Sequence, residues 1–191
     1  MKTLRNLSLV LIAVFSLQHL TAQETKVNSN NSVLTIFGTS NLHDWEMKAE
    51  SMSGTAVFDM ENGKLTGIEK LTFVVAVESL KSGKSGMDKN TYTALNSKTH
   101  KNITYAITKV NKVTETGNNT YIIETTGNLK IAGETKQVPI KFSAKTNGNG
   151  ISLSGKVNIN MTHYKVDPPK ALMGTIKTGE DVTINFEVLY N

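Results

Sequence analysis

Few side chains in this chain could do chemistry. Apart from His19 near the N-terminus, the histidines are His43, His100 and His163. Imidazole is a common metal ligand and proton carrier, but each lies in a polar, loop-like context: Asn41-Leu42-His43-Asp44, Lys98-Thr99-His100 and Met161-Thr162-His163-Tyr164. Their spacing matches no zinc motif, so only a fold that gathered all three would make a metal-assisted hydrolase. His43 with Asp44 supplies two members of a hydrolytic triad, but no Gly-x-Ser-x-Gly elbow marks a nucleophile. Ser82-Gly83-Lys84-Ser85 ends like a phosphate-binding loop, yet Glu78 stands where that motif needs its first glycine. With no cysteine, thiol chemistry and cysteine-ligated metals are excluded. No catalytic residue, metal site or cofactor is assigned.

The charge pattern narrows the partners. Lys2 and Arg5 precede an apolar run over 7–17 and a polar stretch over 18–23, the layout of a secretory signal peptide. The run is shorter than the roughly 20 apolar residues that span a bilayer. The expectation is a cleaved leader over 1–23, one domain over 24–191, an exported (periplasmic or secreted) product and no stable membrane anchor. That product carries 19 lysines against 16 acidic residues, a net charge of +3, and no arginine. Without guanidinium forks or a lysine block, nucleic acid is not an expected partner.

The elements that must position any site read as strands. Ile151, Leu153, Gly155, Val157, Ile159 and Met161 alternate with polar residues, as do Val182, Ile184, Phe186, Val188 and Tyr190. Less regular alternation over 33–37, 55–58, 71–77, 102–110, 121–129 and 138–144 brings the expected count to eight strands. Clusters of Asn and Gly at 61–64, 117–119, 132–134 and 147–150 suit tight hairpins and antiparallel pairing. The expected fold is all-β, an eight-stranded antiparallel barrel.

One segment, 87–99, lacks alternation and places Met87, Thr91 and Leu95 on one helical face, with Ser85 as a candidate cap and Asp88 near the N-terminal end. Such a helix could be a lid or a plug. The stretch 161–179, with Pro168-Pro169, is expected to be an ordered loop. Trp45, the only tryptophan, is core filler or the wall of a barrel mouth. Phe73, Val75, Tyr105, Ile107, Ile140, Phe142, Ile159 and Met161 point inward by alternation and either interlock or line a cavity.

The motifs SVLTIFGTSNLHDWEM (32–47), GMDKNTYTALNSKTHKNITYAI (86–107), GNLKIAGETKQVPIKFSA (127–144) and GKVNINMTHYKVDPP (155–169) follow one another in an order that resembles the YceI-like family. The resemblance implies a lipocalin-like barrel that holds a polyisoprenoid or fatty-acyl lipid non-covalently, with Met87 and Leu95 of the helix contributing to the pocket. Tyr92, Tyr105 and Tyr164 are expected to orient the polar end, and Asp88 and Lys89 to lie where a head group passes. The family commonly has an arginine beside the helix-starting aspartate and a histidine soon after. Here the run is Met87-Asp88-Lys89-Asn90, which implies a different head group. The alternative is a filled barrel acting as an envelope interaction module. Oligomeric state is open, a dimer being one option.

Overall fold

The computed structural model describes residues 23–148 and 150–191. The expected leader lies outside them except for its last residue. Thirteen strands form: β1 Glu24–Lys26, β2 Val33–Ser40, β3 Trp45–Ala49, β4 Met52–Ser53, β5 Thr55–Glu61, β6 Lys64–Ala76, β7 Leu80–Lys81, β8 Asn102–Gly117, β9 Thr120–Ile131, β10 Glu134–Asn147, β11 Gly150–Asn160, β12 Lys170–Ala171 and β13 Ile176–Tyr190. They build one strongly curled antiparallel sheet in the order β1-β5-β6-β8-β9-β10-β11-β13-β2-β3-β7, with β4 on β6 and β12 on β13. This arrangement is consistent with a barrel. Val27 pairs with Tyr190, and Lys26 and Asn191 exchange two backbone hydrogen bonds of 2.9 Å, so the end of β1 is tied to the end of β13.

The strands form where alternation meets turn chemistry. β9 buries every second residue from Tyr121 to Ile131, the pattern of a strand with one face on the core. The hairpin corners adopt the left-handed backbone that asparagine and glycine accept most readily: φ is 51° at Asn62 and 77° at Gly63, and 52° and 56° at Asn118 and Asn119.

The expected count of eight is corrected to thirteen. β1, β4, β7 and β12 have only two or three residues, too few to show a period. The run 45–61 divides at Glu50–Ser51 and at Gly54 into β3, β4 and β5, so its halves pair with different neighbours: β3 with β2, and β4 and β5 with β6. Register shifts at Val57/Phe58 and Asp59/Met60 further blur the alternation there. The 161–179 segment is more regular than expected, holding a 3₁₀ turn over Met161–Tyr164, then β12 and the start of β13.

The helix, α1, spans Ser85–Ala94 and is followed by turns, so it is shorter than 87–99. Ser85 lies inside it and is not the cap. Lys84 takes the capping position without a side-chain bond. Asp88 reaches back to anchor the entry instead: its Oδ1 accepts from the Ser82 N–H at 2.8 Å and from the Ser82 hydroxyl at 2.7 Å.

Candidate functional site

Two cavities lie among the apolar side chains of the curled sheet. The larger, about 670 Å³, is bounded by α1, β3, the end of β11, and residues 161–178. The smaller, about 140 Å³, is lined by strand residues alone. Ile36, Leu80, Ile103, Ile131 and Ile184 border both, so the two volumes share a wall.

Of the residues nominated from the sequence, Trp45, Met87, Leu95, Ile159, Met161 and Tyr164 line the larger cavity. Phe73, Val75, Tyr105, Ile140 and Phe142 line the smaller. Two nominated residues line neither cavity. Ile107 points inward, as its alternation implies, and interlocks with the cluster built around Ile123 and Ala144. Tyr92 also lines neither, because its hydroxyl accepts from Lys81 Nζ at 2.7 Å and lies 2.9 Å from the Glu78 and Leu80 carbonyls. It fastens α1 to the sheet. That hydrogen bond raises the pKa of Lys81.

Trp45 is wall rather than buried filler. It is half-buried, its indole N–H donates to the Thr39 carbonyl at 2.9 Å, and its ring lies over Gly38, where a Cβ would stand 2.0 Å from a ring carbon. Only glycine at 38 leaves room for the indole. Gly127 serves Tyr105 in the same way, a Cβ there falling 2.5 Å from the ring. Residues missed in the sequence include Met47 and the shared-wall isoleucines. Alternation within VLTIFGTS and WEMKA would have pointed to Ile36 and Met47.

The cavities differ in chemistry. The smaller has two polar side chains on its wall, Tyr105 and Tyr190. Both hydroxyls are bonded, Tyr105 to Thr125 Oγ1 at 3.1 Å and Tyr190 to the Thr72 carbonyl at 3.0 Å. Burial raises the pKa of each phenol. The larger has Ser40, His43, Lys84, Asn90, Thr91, Tyr164, Lys170 and Thr178 on its wall, with no carboxylate. Asp88 and Lys89 are not among them, although Met87 and Asn90 on either side are. Burial alone would raise the pKa of Asp88, but the Ser82 hydroxyl and N–H, helped by Lys81, bring it below the ordinary value.

The histidines do not converge into a centre. His43 lines the larger cavity, with Nδ1 2.7 Å from the Asp44 carbonyl. The His100 ring lies against Gly133, and His163 is exposed on the 3₁₀ turn. Among the described residues no group of three or more His, Asp or Glu side chains is placed to hold a metal ion.

The fold is similar to that of Burkholderia cenocepacia BcnA, at 18% identity, covering 85% of this chain and 98% of that one with a TM-score of 0.67. It is similar also to a polyisoprenoid binding domain from Saccharophagus degradans implicated in plant cell wall breakdown, at 12% identity, 87% and 97% coverage and a TM-score of 0.68. The YCEI protein of Campylobacter jejuni matches at 18% identity over 72% of this chain and 81% of that one, with a TM-score of 0.53. No curated protein matches the chain. The model of the YceI-like domain matches residues 19–190, nearly the full length, and the chain belongs to that family.

Proposed function

We propose that this chain is an exported, non-catalytic binding protein whose lipocalin-like barrel holds a long amphipathic lipid, an isoprenoid or fatty-acyl chain, without covalent attachment or cofactor. The observation that carries this reading is the pair of adjoining cavities. At about 670 Å³ the larger falls within the range of small-molecule sites, roughly 300–1,000 Å³. The smaller extends it with apolar strand residues. Burial of an apolar tail there is favourable by about 25 cal/mol per Å² removed from water. The polar end belongs in the larger cavity, where Lys84, Lys170 and Asn90 are available. Kinship with a fold that includes a polyisoprenoid binding domain supports the same ligand class.

A filled barrel acting only as an envelope interaction module fits the larger cavity poorly. Extraction of the purified protein with organic solvent, followed by mass spectrometry, is expected to release a lipid in near-stoichiometric amount. A protein that is always empty and fails to take up long-chain lipids would overturn the proposal. Cell fractionation with sequencing of the mature N-terminus tests export, expected to give a chain starting near Glu24.

A further inference from the structure

Of the four large apolar side chains that stand exposed among the described residues, the two most exposed share one end of the molecule. Leu42 is 64% exposed in the turn between β2 and β3, and Met173 is fully exposed in the turn that follows β12. Asn41 stitches the two turns together. Its N–H donates to the Lys177 carbonyl at 3.1 Å, its Nδ2 donates to the Thr175 carbonyl at 2.9 Å, and its Oδ1 accepts from the Lys177 N–H at 2.8 Å. Both turns border the larger cavity, one through Ser40 and His43 on either side of Leu42, the other through Met173 and Gly174.

The two tips are held in place. The Ser40 hydroxyl accepts from the Leu42 and His43 N–H groups at 3.2 and 3.1 Å and donates to the His43 carbonyl at 2.7 Å, which fixes the first turn. Met173 has φ 53° and ψ 34°, a left-handed backbone that glycine takes more cheaply than methionine. A large apolar side chain kept in such a conformation, in water and on the rim of a cavity, calls for something to cover it. Two turn tips offer too little surface for a protein partner, whose interface takes about 800 Å² from each side. They suit the boundary between the head groups and acyl chains of a bilayer, where buried apolar area and attraction of cations to anionic lipid act together. The cations are present: Lys84 and Lys170 stand on the cavity wall, which has no carboxylate, and Lys177 lies on the strand that Asn41 grips. The two turns carry one carboxylate, Asp44.

We infer that Leu42 and Met173 dock reversibly into the surface of a bilayer containing anionic lipid, which sets the mouth of the larger cavity against the membrane so that a lipid passes between bilayer and barrel. This rests on the lipid-binding reading and deepens it by naming the surface from which the ligand is taken or to which it is returned. A hydrocarbon chain moving by this route does not have to cross water, the step that otherwise opposes lifting a lipid out of a bilayer.

The test floats the processed protein, its N-terminus sequenced so that no leader remains, with vesicles of phosphatidylcholine and phosphatidylglycerol. The wild type is expected to float with them, and to bind less on phosphatidylcholine alone or in high salt. Leu42→Ser is expected to weaken binding by about fivefold, and the double variant with Met173→Ser by about twentyfold. Val33→Ser, which removes a similarly exposed apolar side chain at the far end of β2, is expected to change nothing. Leu42 does not line the cavity, so Leu42→Ser is expected to keep its melting temperature and its affinity for a short-chain lipid in solution, while taking up long-chain lipid from vesicles about fivefold more slowly. A wild type that stays in solution, a Leu42→Ser variant that floats as well as the wild type, or a Val33→Ser variant that loses as much, overturns the inference while lipid recovered by solvent extraction leaves the binding proposal in place. A photoreactive group at position 42 that labels a protein instead of lipid in cells overturns it as well. Vesicle binding that follows Leu42 and Met173 in a protein that takes up no lipid overturns the lipid-binding proposal and, with it, the transfer role.

Discussion

Under the proposed reading, the smaller cavity and the larger one divide between them the two tasks of holding an amphipathic molecule. Strands alone enclose the smaller, and their alternation faces it with apolar side chains whose few polar atoms are satisfied within the sheet. A helix, a 3₁₀ turn and loop residues complete the larger, bringing Lys84, Asn90 and the Tyr164 phenol to its wall, and Ser40, Lys170 and Thr178 join them from the ends of β2, β12 and β13. Polar side chains enter where strands end and turns begin. A curled sheet thus provides a dry end, and the segments crossing it provide a chemically specific end.

The strongest way to break this division is to show that the dry end tolerates loss of packing as well as the other end does. Phe142 is buried and meets Phe186 edge-on at 6.5 Å. Phe142→Ala is expected to cost about 3–5 kcal/mol in urea denaturation, against about 1 kcal/mol for the half-buried Leu95→Ala just after α1. Equal costs would erase the distinction. Next in size is Gly38→Ala, whose Cβ displaces the Trp45 indole and breaks its bond to Thr39. A loss of about 1–3 kcal/mol and red-shifted tryptophan emission are expected.

Tyr105→Phe sharpens the contrast between satisfied and unsatisfied phenols. The Thr125 hydroxyl gives its proton to the Ile140 carbonyl at 2.9 Å, so Tyr105 is the donor to Thr125. Its loss is expected to cost about 1 kcal/mol by thermal denaturation. Tyr164→Phe breaks no internal bond and is expected to cost nothing.

The smallest effect is one of pH. The folded-state pKa of Asp88 is lowered, so the stability it adds is present above the ordinary aspartate value of about 3.9 and is lost as pH falls through the lowered value. Amide protection factors over Ser85–Ala94, taken relative to the intrinsic exchange rate at each pH, are expected to fall on acidification before those of β9 do, and Asp88→Ala is expected to show the reduced protection already at neutral pH.

Much of the dry end was legible in the sequence, because a half-buried strand writes its facing residues at every second position. Phe73, Val75, Ile140 and Phe142 followed from that rule alone. Ile107 followed from it as an inward residue too, but it interlocks with the core around Ile123 instead of lining a cavity. The specific end was legible only in outline. Met87 and Leu95 share a helical face that can be read by spacing, but whether a tyrosine hydroxyl is bonded depends on groups distant in sequence. Tyr92 meets Lys81 and Glu78, Tyr190 meets Thr72, and Tyr164 meets none, so three identical side chains take different roles. The strand count failed for a related reason: two-residue strands exist only through their partners.

The wall common to both cavities consists of Ile36, Ile103, Ile131, Ile184 and Leu80. Four of these five branch at Cβ, which restricts rotation about χ1, and all five are carried on paired strands. Under the proposed reading, a molecule that filled both volumes would meet this wall at its middle, where β-branched side chains have few rotamers with which to yield.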